Sequence, residues 1–224
     1  RNINTDLIFG LPNQSFEDWA ETLEMVISTG EKNGLTHLSC YSLQIEEGTV
    51  FADKVRQGIL KPVDDELDRK MYAYAIETLK DKNFRHYEIS NFAKPGFECR
   101  HNLVYWKAEE YAGFGSGAHS YLNGVRCANP AGIEEYIEAV KTGNLENLYE
   151  RQIINEREAM SEFMILGLRL IDGISSVEFE KRFSQSLWSV FGGTIDRLVE
   201  EGLLEKIPVK TSTERCPDKR VRLT

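Results

Sequence analysis

Asn4-Thr5-Asp6-Leu7-Ile8-Phe9-Gly10-Leu11-Pro12 is the stretch on which the reading of the fold turns. With a period of two, Asn4, Asp6 and Ile8 share one face, and Thr5, Leu7 and Phe9 share the other. Gly10 and Pro12 stop the strand. Ser15-Phe16-Glu17-Asp18 then has the S-x-x-D form of a helix start. Trp19, Leu23, Val26 and Ile27 follow on one helical face, and Gly30 and Gly34 end the helix. Leu35 to Leu43 reads as a second strand. Strand, helix and strand in about 40 residues make a βαβ unit, so the two strands should be parallel. The helix would cover the Thr5 face, leaving Asp6 on the far side of the sheet. A carboxylate buried there needs a partner, either a structural ion pair or cap, or a hydrogen bond to a ligand.

Outward from this unit, Asp64 can cap a second long helix whose buried face runs through Leu67, Met71, Tyr74 and Thr78/Leu79. His86 to Ser90 is a third strand candidate. Asn91 to Glu110 shows no clean period but is dense in functional side chains. Gly124 to Cys127 reads as a short strand, and Ile133, Ile137 and Val140 mark a further helix. Gly143 to Asn147 reads as a linker, which sets expected domains at 1–142 and 143–224. Past it come three helical patterns, Asn155 to Leu170, Ser175 to Phe183 and Leu187 to Glu201, with Gly202 closing the third. Two short strands, Leu203 to Ile207 and Arg220 to Leu223, complete a small winged-helix-like α+β layout.

Composition narrows the function. Lys plus Arg is 27 and Asp plus Glu is 36, a net charge of −9 over 224 residues. That balance opposes binding to nucleic-acid phosphates and a polybasic membrane anchor. No apolar run approaches the roughly 18 residues of a transmembrane helix. The first residues lack a starting Met and any signal-peptide pattern, and the last stop inside an alternating strand pattern, so the chain reads as part of a longer protein. Cys40, Cys99, Cys127 and Cys216 form no C-x-x-C or C-x-x-x-C pair. Four free thiols in a reducing cytoplasm is the expected state.

Other stretches could hold chemistry. Gln44 to Thr49 follows the second strand, where parallel α/β folds place their sites; Gln44 shares the parity of Cys40 and Ser42. Glu46 and Glu47 read as a solvated loop. The glycines of Gly113-x-Gly115-x-Gly117-Ala118-His119-Ser120 lack dinucleotide spacing and more simply let backbone pass close to a ligand or another strand. His101-Asn102-Leu103-Val104-Tyr105-Trp106 gathers an imidazole, an amide, a phenol and an indole. It is either a packed loop or a seat for a flat aromatic ligand with an imidazole for iron. His37 opens a strand and His86 begins another, and neither is expected to sit among aromatic neighbours; His119 lies among glycines that suit a small ligand better than a macrocycle.

The Asn4 to Pro12 strand resembles that of the oxygen-independent coproporphyrinogen oxidase family of radical S-adenosylmethionine proteins. Ser90 to Gly96, His101 to Trp106 and Gly113 to Ser120 resemble its HemW-like haem-chaperone branch. The resemblance implies an α/β fold: the C-terminal part of a partial (β/α)6 radical-SAM barrel with extra strands, then the winged-helix-like domain. It implies Asp6, Ile8 and Gln44 along S-adenosylmethionine. It implies His101, Asn102, Tyr105 and Trp106 around haem, with His101 as ligand to the iron and Asn102 or a backbone carbonyl holding its other ring nitrogen. It implies a haem-trafficking role in the cytoplasm, with haem or porphyrin and haem-accepting proteins as partners and weak membrane association through those partners. The family's C-x-x-x-C-x-x-C motif for a [4Fe-4S] cluster is absent from this sequence, so this chain alone is expected to be inactive; catalytic residues are not assigned.

Two other functions compete. One is oxygen-independent coproporphyrinogen III oxidase, a radical decarboxylase of haem biosynthesis. The other is a winged-helix DNA-binding regulator, opposed by the net −2 of Asp196, Arg197, Glu200 and Glu201 on the third helix. Iron and sulfide analysis of this chain after anaerobic reconstitution is expected to find no stoichiometric [4Fe-4S] cluster; finding one would overturn the reading of its cysteines.

Overall fold

The computed structural model describes residues 1–143, 150–208 and 218–224. The chain divides into two compact units, Arg1–Cys99 and Arg100–Thr224.

The first unit is built on β1 (Ile3–Phe9), α1 (Phe16–Asn33) and β2 (Leu35–Ser42), with β1 and β2 parallel. Ser15 forms the expected capping box with Asp18, and Gly34 ends α1 in the left-handed conformation. The helix buries Trp19, Leu23 and Ile27, the face that the spacing predicts. Thr49 caps the short helix α2 (Val50–Arg56), which the sequence did not signal. Asp64 caps α3 (Asp65–Asp81), which buries Met71, Ala75 and Leu79. Trp19 Nε1 donates to the Met71 carbonyl at 2.9 Å, tying α1 to α3.

The sheet then departs from the parallel pattern. β3 (Arg85–Glu88) is the third strand candidate, but β4 (Asn91–Ala93) inserts between β2 and β3 and runs antiparallel to both. The aperiodic stretch from Asn91 therefore holds a strand. Its Asn91, Phe92 and Ala93 are buried together, so no alternation marks it. The core comprises Phe9, Trp19, Leu23, Leu38, Cys40, Met71, Leu79 and Phe92 between the sheet and the two long helices.

The second unit opens with α4 (Arg100–Trp106), the other element hidden in that stretch. Then come β5 (His119–Leu122), β6 (Val125–Ala128), α5 (Ile133–Thr142) and β7 (Glu150–Ile153). These strands form an antiparallel sheet in the order β5-β6-β7. The β6–β7 pairing joins residues on either side of position 142 within one unit. Gly143 caps α5 in the left-handed conformation; residues 144–147 of the expected linker, and Cys216, lie outside the described residues. The apolar stripe of α5 forms as expected, yet Ile133, Ile137 and Val140 are exposed.

The last elements are α6 (Glu156–Gly167), β8 (Ile174–Ser175), α7 (Ser176–Phe183), α8 (Leu187–Glu200), β9 (Leu204–Pro208) and β10 (Lys219–Leu223). Asn155 and Glu158 close a capping box on α6. The hairpin β9–β10 gains β8 as a third strand. Met160, Phe163, Phe179, Leu187, Ile195 and Val221 fill the core. The three helices and hairpin of the expected winged-helix-like layout are present.

Leu23 is fully buried between α1 and its neighbours. Leu23→Ala is expected to cost about 2–5 kcal/mol of stability, read from urea unfolding.

Candidate functional site

The β1–β2 register sets which side chains share the open face of the first sheet. Asn4 lies opposite His37, Asp6 opposite Ser39 and Ile8 opposite Tyr41. The other face carries Phe9, Leu38 and Cys40, which enter the core. The alternation expected for β1 holds, with one correction: Asp6 is exposed, not buried. It still has partners. Its Oδ1 accepts from Ser39 Oγ at 2.6 Å and from Asn4 Nδ2 at 2.8 Å. Those bonds, Ser39's foremost, hold the Asp6 carboxyl below its ordinary pKa. Ile8 is 50% exposed and Tyr41 41%, so an apolar shelf adjoins the carboxylate.

Gln44 does not join this group by parity. Cys40 is buried in the core, and Ser42 Oγ donates to Asp68 of α3 at 2.6 Å. Their parity is therefore that of the helix-covered face, and Gln44 stands exposed beyond the strand. Glu46 and Glu47 are exposed, as a solvated loop should be.

The expectation that His37 and His86 lack aromatic neighbours fails: the antiparallel β4 pairs Phe92 with His86, and the sheet brings Tyr87 of β3 to His37. His37 meets Tyr87 edge-on at 5.7 Å, and its Nε2 lies 2.9 Å from the Tyr87 hydroxyl. His86 stacks on Phe92 at 4.4 Å. Burial pushes both histidines below the ordinary imidazole pKa.

In the second unit the H-N-x-x-Y-W stretch is helical, which separates its side chains. His101 is exposed on the first turn, edge-on to Tyr105 at 4.9 Å. Neither of its ring nitrogens is hydrogen-bonded among the described residues. Trp106 points elsewhere, under the Arg169 guanidinium at 4.2 Å.

Tyr105 and Trp106 line a cleft of about 390 Å³ with Tyr111, His119, Tyr121 and Arg126. The pairing of Tyr121 with Arg126 puts both on the sheet face that carries His119. Tyr105 and Tyr111 rings lie 4.6 Å apart. Arg126 makes a two-pronged bond to Glu162 at 3.0 and 2.8 Å, which raises the guanidinium pKa. The glycine reading holds at Gly113, where an added Cβ would fall 2.2 Å from the His119 carbonyl. Sequence reasoning missed Ser39, Tyr41, Tyr87, Tyr111, Tyr121 and Arg126. Each gains its place by pairing or packing, and only Gly113's close approach hinted at the fold-back over β5.

Among the described residues no three His, Cys, Asp or Glu side chains gather as a metal site. Burial in the core pushes the Cys40 thiol up to about 12. These donors do not fit a three-cysteine cluster. The open Asp6 face, with a carboxylate beside apolar side chains, does fit a ligand such as S-adenosylmethionine.

Residues 154–209 match the HemN C-terminal domain. The chain is 37% identical over 206 residues to the heme chaperone HemW of Lactococcus lactis, covering 91% of this chain and 52% of that protein. It is 36% identical over 203 residues to HemW of Bacillus subtilis, again covering 91% and 52%. The chain is HemW-like and carries a HemN C-terminal domain. It spans about half the length of the curated relatives that it matches. The mouse radical S-adenosyl methionine domain-containing protein 1, mitochondrial, is 30% identical over 218 residues, covering 90% of this chain and 47% of that protein. The radical SAM enzyme coproporphyrinogen III oxidase (HemN) of Escherichia coli superposes with a TM-score of 0.69 over 98% of this chain and 51% of that one. At 18% identity that likeness establishes the fold.

The Cys40 thiol generates a pH dependence of defined sign. It ionises near 9.0 when exposed by unfolding and near 12 in the fold. Between those values the unfolded chain binds fewer protons, so stability should fall as pH rises. Cys40→Ala is expected to flatten that fall, measured by urea unfolding at a series of pH values.

Proposed function

We propose that this chain is the haem-handling part of a radical S-adenosylmethionine haem-trafficking protein. The observation that carries the reading is its likeness to HemW over nine tenths of its length. Helix α4 supports it: the His101 imidazole is exposed on its first turn, with the Tyr105 ring edge-on to it. In this reading His101 ligates haem iron, and Asn102, Tyr105 and Trp106 border the porphyrin. Asp6 and Ile8 line S-adenosylmethionine on the open sheet face, with Gln44 beyond the next strand. The [4Fe-4S] cluster belongs to the full-length protein and draws no ligand from the described residues here. Haem-accepting proteins are the partners, reached at a membrane only through those acceptors. No described helix is long and apolar enough to cross a membrane. The unpaired Cys40, Cys99 and Cys127 suit a reducing cytoplasm.

A second reading concerns the iron ligand alone. His119 lines the aromatic cleft with Tyr105 and Trp106, whereas His101 does not. Haem titration followed at the Soret band separates the two. His101→Ala is expected to lower haem affinity and shift the band while His119→Ala does neither. The reverse result would move the ligand to the cleft, and wild-type titration by both variants would remove haem from this element. Protoporphyrinogen formed by the cluster-loaded full-length protein would establish the oxidase instead.

A further inference from the structure

The polar side chains around Asp6 form a chain whose direction is dictated by charge. An ionised carboxylate only accepts hydrogen bonds. Asn4 must therefore turn its amide nitrogen to Asp6 Oδ1, 2.8 Å away. Its own Oδ1 then faces His37 Nδ1 at 2.6 Å. An amide oxygen also only accepts, so that ring nitrogen carries the proton. In the neutral ring Nε2 is then bare, and the Tyr87 hydroxyl 2.9 Å away must be the donor. Donation runs in one sense from Tyr87 through His37 and Asn4 to Asp6. Reversing any link would turn a lone pair towards the carboxylate.

The chain ends on one oxygen. Ser39 and Asn4 both donate to Oδ1, and Oδ2 carries no hydrogen bond among the described residues. Beside it lie the exposed Ile8 and, opposite in the register, the exposed Tyr41. A carboxylate oxygen next to an apolar shelf selects a neutral or cationic ligand with hydroxyl or ammonium donors and a flat apolar part. A nucleoside has that chemistry.

We propose that Tyr87, His37 and Asn4 are positioning residues, which lock the Asp6 carboxylate so that Oδ2 is presented to a ligand donor on the open face. The proposal rests on the reading of Asp6 as a residue that binds S-adenosylmethionine. Loss of the Tyr87 hydroxyl frees His37 to move its proton to Nε2 and Asn4 to rotate, so the carboxylate loses a fixed donor without loss of a contact to the ligand itself.

The test is calorimetric titration of the full-length protein with S-adenosylmethionine, beside a melting curve. Tyr87→Phe keeps the buried ring, and Asn4 is exposed, so Asn4→Ala leaves the core untouched. Each is expected to weaken binding about three- to tenfold, the worth of one hydrogen bond. In an Asp6→Ala background neither should weaken it further, a coupling that a merely structural role would not produce. Wild-type affinity in both single variants, with affinity lost in Asp6→Ala, would overturn the positioning role and leave the Asp6 reading standing. Additive losses in the double variants would overturn it too. Wild-type affinity in Asp6→Ala would remove the Asp6 reading, and the proposal with it.

Discussion

The register of β1 on β2 is the constraint on which the first unit depends. A slip of one residue would exchange the faces of the strand, putting Asp6 into the core and Phe9 into solvent. Phe9 is 1% exposed and packs on Trp19 at 5.3 Å, so the slip would forfeit a large buried aromatic contact. Apolar packing on one face therefore fixes the polar arrangement on the other. Ser39 meets Asp6 because Leu38 and Cys40, its neighbours on β2, are held in the core. Neighbouring helix contacts serve the same end: α1 and α3 are tied through Trp19 and Met71, and they cover the face of the sheet opposite Asp6.

The second unit solves a different problem. Its small sheet has short strands, which bury little by themselves. Its cleft face is braced by the Arg126–Glu162 bond from β6 to α6. The segment after α4 is held by Arg182 of α7, whose guanidinium donates to the Lys107 carbonyl at 2.8 Å and to that of Ala108. These bonds place Tyr105 and Trp106 on one wall of the cleft and the β5–β6 residues on the other. His101, four positions before Tyr105, shares that residue's helical face, but it stands exposed on the first turn of α4 and does not line the cleft. A motif contiguous in sequence is thus divided between a cleft and an open surface.

Much of the local structure was legible in the residues. Ser15, Asp64, Asn155 and Gly34 set helix ends through hydrogen bonds that span only a few residues, and the alternation of Asn4 to Phe9 predicted both faces of β1. The cysteine spacing and net charge bounded the chemistry by composition alone. Pairings between distant residues were not legible. β4 inserts antiparallel beside a parallel pair, His37 finds Tyr87 fifty positions away, and His119 reaches the cleft through the fold-back at Gly113. The sequence by itself determined the capped helices, the polar face of β1 and the absence of clustered thiolate motifs, because each depends on interactions within a turn or a strand. Only the tertiary structure decided which side chains surround Asp6 and which histidine shares the aromatic cleft. Those depend on strand register and packing between elements, which the balance of core burial sets for the chain as a whole.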